Sequence, residues 1–511
     1  MAMLADELPL RLGVILADPE VARPDTVRLI ELLDGMQLVD LVCIVASGEQ
    51  AGTQPGLMSL AIALETAVTG QIAQDAPVLG AQDREILPPE PDLLPDLDLL
   101  IDQSGSPVVE TLAGRARHGV WRLSTVDPNS GLGAAMSKAP VTTVQLWRFT
   151  SRDSGWETIS EAAFDTKFLA SRNRLFQREK ALRFVKGQIA RLALGEMQEM
   201  TGASDVSPGD TSPSLAQYPM YVGRVAAETI SRGADKIAMR LGGRPGRFCL
   251  RVATGTALSF DPLSAVEYEA PDGEYWADPF LIAHKGEVFA FFEVYDYRTG
   301  RGHIAAGRLT EGRLDFIGDA LRTPYHLSYP FVFRHGDDIF MLPETSETKR
   351  LEIWRATDFP LQWTLHATAM EGVVASDSTL ARVGQQWWLF SNLCRDSFND
   401  FCSELHLFRV DGPDLTGITA HPLNPVVVNS RTARGGGRIF NQDGRLFRPS
   451  QVNSHGTYGY GLNIMEIVAL GETRYEEKLV RRMTPRDVPG IIGIHHIDVL
   501  DDTVIFDVRK R

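Results

Sequence analysis

Between residue 10 and about residue 124, short apolar runs alternate with segments whose apolar residues recur every three or four positions. Leu10–Ala17 reads as a strand, a helix opens around Pro24 with Val27, Ile30 and Leu33 on one face, and Val39–Ala46 reads as the next strand. The pattern repeats with a helix over Leu57–Val68, a short strand at Asp98–Ile101, a helix over Pro107–Arg115 and a strand at Gly119–Ser124. Strands separated by helices pair in parallel, so the expectation for residues 1–155 is an α/β domain with a Rossmann-like sheet. The segment Gly195–Met220 is dense in Gly, Ser, Pro, Thr and Asp and carries no sustained apolar period, which marks a linker within a helical stretch over 156–250.

Beyond the linker the period changes to that of hairpins. Residues 278–293 (DPFLIAHKGEVFAFFE), 329–344 (YPFVFRHGDDIFMLPE) and 377–392 (DSTLARVGQQWWLFSN) follow one template. Each opens with an apolar strand, turns at a glycine (Gly286, Gly336, Gly384), and runs into an aromatic-rich strand that ends in a polar residue at its sixteenth position. Weaker copies occupy 436–451, turning at Gly444, and 495–509, turning at Asp501-Asp502. The copies recur every ~50 residues, leaving room after each hairpin for two more strands such as Leu351–Ala356 and Trp363–Ala367, the period of a four-stranded propeller blade. The fold class expected is therefore multidomain: an α/β Rossmann-like N-terminal domain followed by an all-β five-bladed β-propeller over 251–511.

Composition narrows the class of function. With 511 residues, 44% hydrophobic and 23% charged, the chain is a multidomain globular protein. The formal charge of −15 repels polyphosphate, so a nucleic-acid partner is excluded from the expectation. The apolar run Leu41–Ser47 is far shorter than the ~20 residues that span a bilayer, and the acidic N-terminus reads as a first strand and not as a signal peptide. Four widely spaced cysteines suit a reducing compartment, and a cytoplasmic location is expected. Ser171–Leu194 sets Leu175, Leu182, Val185, Ile189 and Leu192 at helical spacing among seven basic residues, a pattern able to make peripheral contact with anionic lipid or to pack on its own domain.

In a propeller the first strand of each blade lines the central channel, so the residues that open the copies converge on one axis. These are Asp278, Tyr329, Asp377, the Arg434–Gly437 turn and His495-His496. Asp278 and Asp377 would face each other as paired carboxylates, with Tyr329, His326, Arg434 and His495 around them and Trp276 as a flat surface for a sugar ring. Paired carboxylates suit glycosidic chemistry, which needs one ionised group at the anomeric carbon and one acid to protonate the leaving oxygen. Glu293 and Glu344, each ending a second strand, complete the catalytic candidates. His495 and His496 are adjacent, and neighbours on a strand face opposite sides, so one of them is expected in the channel and no metal site is read from the pair.

WADPF (276–280) resembles the first-blade motif of five-bladed glycosidases of the arabinanase, xylosidase and invertase group. That resemblance implies Asp278 as catalytic base or nucleophile and Asp377, in its S-D-S-T setting, as the carboxylate that orients substrate and tunes the acid. It matches no general-acid glutamate, and it implies a calcium ion beside an axial histidine as the one cofactor to consider. A second resemblance covers most of residues 265–495. The set WADPFLI, GRGHIA, HLSYPFVF, LPET, DFPLQW, SDSTLA, HPLNPVV, ARGGGRIF and LFRPSQ is similar to the N-terminal domain of plant glucosamine inositolphosphorylceramide transferases. It implies a glycan or glycolipid substrate, handled by a hydrolase or transferase site, or else a non-catalytic saccharide-binding module that accompanies a partner glycosyltransferase.

Residues 10–150 are similar to formyltransferase N-terminal domains through Asp98–Ile101, the GVWRLS strand and the Gly131-Leu132-Gly133 turn. Those enzymes use an asparagine, a histidine and an aspartate. Here His118 precedes the strand, and the expected H-P-S position reads Ser124-Thr125-Val126-Asp127-Pro128. The resemblance implies an inactive scaffold, with sugar N-formyl transfer as the alternative.

Overall fold

The computed structural model describes residues 9–20, 22–48, 62–63, 65–67, 84–197, 217–240 and 247–511. The chain divides into two compact units, Met1–Arg232 and Gly233–Arg511. In the first, seven strands form one sheet: β1 (Leu10–Leu16), β2 (Val39–Ala46), β3 (Glu85–Leu87), β4 (Leu99–Asp102), β5 (Val120–Leu123), β6 (Val141–Phe149) and β7 (Trp156–Asp165), in the order 3-2-1-4-5-6-7. The first five neighbours in that order run parallel, while β6 and β7 add antiparallel strands at one edge. Helix α1 (Pro24–Asp34) starts on a proline at its first turn and buries Thr26, Leu29, Ile30 and Leu33. Of the helix expected over 57–68, residues 62–63 and 65–67 are described and helical, while the rest of it and most of the linker lie outside the described residues.

The boundary expected at 155 falls at the start of a sheet strand. β7 pairs with β6 along its whole length, from Phe149↔Trp156 to Val141↔Asp165, so the sheet extends ten residues further. Two long helices follow, α2 (Ala170–Ala193) and α3 (Tyr218–Arg240), the second opening inside the Gly/Ser/Pro-rich segment. The basic helix is a core element of its unit. Leu182, Val185, Ile189 and Lys180 are buried, and Glu179 pairs with Arg28 of α1. An apolar helical stripe has the same period whether it meets lipid or protein, and here it meets protein, which removes the basis for membrane contact through this helix. No described helix is long and apolar enough to cross a membrane.

The second unit is a five-bladed propeller. Its first four blades are consecutive: strands within 274–321, 328–369, 375–428 and 440–483 form four antiparallel sheets. The fifth is composite, with Ile497–Leu500 and Thr503–Lys510 from the C-terminal end pairing with Arg247–Thr254 and Val266–Tyr268 from the beginning of the unit. The propeller therefore begins at Arg247, a few residues before the expected 251, because its first strand is an outer strand of the last blade. Closing the ring by pairing strands from its two ends removes two open edges.

The ring is closed at its centre as well. Inner strands of blades one, two and three pack in succession, and that of blade one packs on blade five. Gly435 N–H donates to Asn392 Oδ1 (2.9 Å), joining blade four to blade three, and Gly437 bridges in parallel to Ile497 of blade five. Gly437 has φ +142°, and a Cβ there would lie 1.9 Å from the Ile497 carbonyl oxygen. The third glycine of the R-G-G-G-R run is thus required by backbone meeting backbone. Gly437→Ala is expected to lower the stability of the propeller by about 3 kcal/mol or more, read as a reduced urea midpoint. An unchanged midpoint would mean that blades four and five do not meet at this residue.

Candidate functional site

Blades one, two and three carry the same local device on their inner strands. The ladder register slips between Ala277 and Phe280, between Ser328 and Phe331, and between Ser376 and Thr379. Each slip contains a non-glycine residue in the left-handed region: Asp278 (φ 52°), Tyr329 (φ 47°) and Asp377 (φ 48°). A left-handed L-residue costs about 1–2 kcal/mol, so three at equivalent positions are retained against strain. Pro279 and Pro330 follow the first two, at bulges where a missing N–H forfeits no ladder bond.

A second ring comes from the ends of the second strands. Ala277 pairs with Glu293, Ser328 with Glu344 and Ser376 with Asn392, so the polar sixteenth position of each hairpin lies beside its left-handed residue. Gln451 lies within the equivalent strand of blade four, and Asp507 lies opposite His496 in blade five. Both glutamates consequently face the channel.

Around the axis these residues form three connected groups. In the first, Asp507 Oδ1 accepts from the backbone N–H of His495 (3.2 Å) and of His496 (3.1 Å) and from His495 Nδ1 (2.7 Å), while its Oδ2 accepts from the N–H of Asp278 (3.0 Å). Burial raises the Asp507 pKa, but the His495 charge and this donor set outweigh it and hold the carboxyl below its usual range. His495 Nε2 then faces Asp278 Oδ1 at 3.5 Å, and His496 Nδ1 faces the same oxygen at 3.7 Å. Both histidines thus reach the channel aspartate, contrary to the alternation argument. Residues 494–496 connect two strands without belonging to either, so strand alternation does not apply.

In the second group, Arg434 holds Asp377 through two bonds, Nε to Oδ2 (2.7 Å) and Nη2 to Oδ1 (3.3 Å). Its Nη2 is 3.9 Å from Glu344 Oε2, which also accepts from the N–H of Asp377 (3.3 Å). Gln451 Nε2 donates to Asp377 Oδ2 (3.3 Å), and the guanidinium lies 5.0 Å from the centre of the Tyr458 ring. The third group is Glu293 with His326. His326 Nδ1 accepts from the Gly302 N–H (2.8 Å), which places the ring proton on Nε2, 3.6 Å from Glu293 Oε1. That oxygen is buried and has no hydrogen-bond partner.

These surroundings separate the carboxyls. Burial, followed by the charges of Asp278 and Glu344, raises the Glu293 pKa well above the usual range, and no cation is paired with it. Burial pushes Asp278 up to about 7 against the opposing charge of His495, and pushes Asp377 up to about 6 against Arg434. Of the crowded pair, Glu293 keeps its proton, because Asp278 faces His495, which is raised by its carboxylate neighbours, whereas the His326 beside Glu293 is held below its usual range by burial and brings no charge. His495 is raised by Asp507 and Asp278 in spite of burial, whereas burial takes His496 down to about 3 and leaves it neutral.

Two of the expected substrate contacts are structural. Trp276 is buried against Phe292 and Phe316 in the core between blades one and five, because it alternates with Tyr275 along the strand. Tyr275 occupies the rim instead, stacked on Tyr295 at 4.8 Å and 6°. Tyr329 is 1% exposed, and its hydroxyl exchanges bonds with the backbone N–H and C=O of Gly437. His326 and Glu344 remain partly exposed at the rim, and Arg434 is committed to Asp377. Asp507, Gln451, Asn392 and Tyr458 were missed as site residues. The sixteenth-position regularity pointed to Asn392 and Gln451.

Asp278, His495 and Asp507 place one donor atom each within 4.8 Å of one another. They do not suit the calcium that the glycosidase resemblance implies. Both oxygens of Asp507 are occupied by N–H donors, and calcium takes 6–8 oxygen ligands.

Residues 263–492 match the family model described as glucosamine inositolphosphorylceramide transferase 1, N-terminal. Curated relatives of that name are 37% identical over 231 residues in Oryza sativa subsp. japonica and 31% identical over 207 residues in Arabidopsis thaliana, covering 43% and 40% of this chain. The matched stretch spans 31% and 27% of those proteins, less than a third of their length. The span coincides with that of the motif resemblance. Among solved structures, a family 117 glycoside hydrolase from Zobellia galactanivorans aligns at 11% identity and TM-score 0.34 over 46% of this chain and 75% of its own. An α-L-arabinanase from Cellvibrio cellulosa, complexed with arabinohexaose, aligns at 13% identity and TM-score 0.33 over 49% and 96%.

Native Asp278 retains its proton to about pH 7, whereas the ordinary value is 3.8. A carboxyl raised on folding contributes stability that is full below about pH 4 and is lost as pH rises through 7. Asp278→Asn lacks that loss. Urea unfolding at pH 5 and pH 8 is expected to show the variant gaining on the wild type by on the order of 2 kcal/mol at the higher pH. A difference that does not change with pH would put an already ionised Asp278 in the native site.

Proposed function

We propose that the axial face of the propeller cleaves or transfers a glycosidic bond of a glycan or glycolipid. Glu293 acts as general acid and Asp278 as base or nucleophile, while Asp377, held by Arg434, orients the substrate and Glu344 supports the acid's raised pKa. The observation that carries this reading is the divergence of two carboxyls in one site. Glu293 is buried without a hydrogen-bond partner on Oε1, and Asp278 is set against His495. One carboxyl that keeps its proton beside one that releases it near neutrality is the division of labour such chemistry requires. The Tyr275–Tyr295 stack supplies an aromatic face for the C–H side of a sugar. The name of the plant relatives supports a glycolipid within the substrate class. The N-terminal sheet fits into the same proposal as a Rossmann-like, formyltransferase-derived scaffold. Its 3-2-1-4-5 parallel order supports the scaffold, and the lack of a histidine at 124–128 argues against formyl transfer.

The test is a screen of nitrophenyl glycosides, alkyl glycosides and glycosylated inositol phosphoceramides against wild type, Asp278→Asn and Glu293→Gln. Asp278→Asn is expected to lose about 10³-fold or more in kcat/KM on every substrate. Glu293→Gln should lose as much on alkyl glycosides but much less on nitrophenyl glycosides, whose leaving group departs without a proton. Equal losses on both would remove Glu293 from the role of acid. Saturable binding without turnover in all three proteins would make the propeller a saccharide-binding module.

A further inference from the structure

Beside the axial cluster one cation is left uncommitted. Arg509 lies two residues beyond Asp507 on the strand Thr503–Lys510, so both side chains leave the same face of blade five. Its ladder partner is Phe248, on the strand Arg247–Thr254. The Phe248 ring stacks on His495 at 4.5 Å and 27°, and the Arg509 guanidinium lies 5.7 Å from the centre of that ring. From Asp278 outward, His495, Phe248 and Arg509 therefore follow one another. Phe248 also meets Tyr275 at 5.6 Å, and Tyr297 stands edge-on to both Tyr275 (5.8 Å) and Tyr295 (5.5 Å). One side of the mouth, where blades five and one adjoin, is thus bounded by four aromatic rings and a guanidinium.

The other cations on these two strands are matched. Arg251 bonds to Glu267, Lys510 bonds to Glu267 and Glu269, and Arg247 has Asp272 at 3.6 Å. Among the described residues the Arg509 side chain has no ion pair and no hydrogen bond, and its Nε is buried. The residue as a whole is half-buried, which leaves its outer part open to a ligand. Burial raises the Tyr297 hydroxyl above its usual range while the charges of Arg247 and Arg509 oppose that rise, so both arginines act on the blade-one side of the mouth. An N–H withdrawn from water without an acceptor is unfavourable, and a ligand oxygen supplies the acceptor. A guanidinium over an aromatic ring keeps its fork free for a second partner, and that fork matches phosphate and carboxylate.

We propose that Arg509, backed by Phe248, is a specificity-determining residue that binds a phosphate or carboxylate carried by the unit adjoining the sugar at Asp278. The inference rests on the glycosidic reading of the axial face and adds a charged substrate class to it. The axis itself, rich in carboxyls, repels an anion on the reacting sugar. Arg509 is separated from Asp278 by the His495 and Phe248 rings, so an anion there gains a cation while the sugar keeps the axis. An acidic glycoside whose charge lies one unit away from the scissile bond fits both places.

Calorimetry of the full chain tests the subsite, with soluble glycosyl inositol phosphates, the same compounds dephosphorylated, and uronic-acid disaccharides as the carboxylate arm. Wild type is expected to bind the phosphorylated form about tenfold tighter than its neutral counterpart at low ionic strength, a preference that shrinks as salt is added. Arg509→Met should lose that preference while binding the neutral form as wild type does, with an unchanged Tm. A preference retained in the variant overturns the proposal, as does a wild type that fails to discriminate or to bind the phosphorylated form. A structural Arg509 predicts a lowered Tm with charged and neutral ligands weakened alike, and that result also overturns it. Should Arg509→Met fail to fold, Arg509→Lys, which keeps the charge and loses the fork, is expected to retain only part of the preference, and an undiminished preference overturns the assignment. Uronic-acid disaccharides bound as tightly as the phosphorylated form support the subsite and extend it to carboxylates. Because binding is read without turnover, a charge preference without cleavage supports the subsite and refutes only the proposed reaction.

Discussion

The carboxylate of Asp507 is the constraint on which the propeller's centre depends. It receives N–H bonds from Asp278 in blade one and from His495 and His496 in blade five, so this buried anion fastens the first blade to the last. The outer closure pairs strands and is spread over many bonds, whereas at the inner closure two buried carboxylates of blade five, Asp507 and Asp498, accept the blade-one N–H groups of Asp278 and Leu281. It also fixes the chemistry. By accepting the His495 Nδ1 proton, Asp507 directs Nε2 toward Asp278, and the residue that closes the ring thereby sets the charge facing the candidate base.

Strain and charge act together at this axis. Left-handed backbone at Asp278, Tyr329 and Asp377 turns three side chains toward the centre that a regular strand would direct into the blade interfaces. Tyr329 uses the position to brace blade four through Gly437, while the two aspartates use it to meet a histidine and an arginine. The same backbone device therefore serves closure in one blade and chemistry in its neighbours. Arg438, bonded to Asp498 and to the carbonyls of Leu281 and Val332, crosses blades in the same region without entering the carboxyl cluster.

Much of this was legible in the residues. The hairpin period gave the blade count, and the convergence of first strands brought Asp278, Asp377 and Arg434 together. What periodicity could not convey was geometry at irregular backbone. Strand alternation separated His495 from His496, but they lie on a connection where alternation lapses. Trp276 was the expected aromatic surface, but the pleat assigns it to the core and its neighbour Tyr275 to the rim. Asp507 was unreadable because its partners are backbone N–H groups more than two hundred residues away in one case, and no side-chain pattern announces them. In the α/β half four of the seven strands were legible, while Glu85–Leu87, Val141–Phe149 and Trp156–Asp165 were not, and the basic period of α2 was ambiguous between lipid and protein surroundings.

The charge count at the axis restricts what the channel accepts. Asp278, Glu293, Glu344, Asp377 and Asp507 are opposed by Arg434 and, when protonated, His495. Full ionisation would leave several uncompensated carboxylates in a buried cluster, so protons stay where cations are absent, and Glu293 is that place. A phosphate group brought against this cluster would meet like charge, whereas a neutral sugar ring would meet acceptors, a retained proton and the Tyr275–Tyr295 face. For a glycolipid that carries both, the physics assigns the saccharide to the axis and holds its phosphate away from the carboxyls. Specificity in the channel then rests on which hydroxyls reach Asp377 and Glu344 without bringing charge with them.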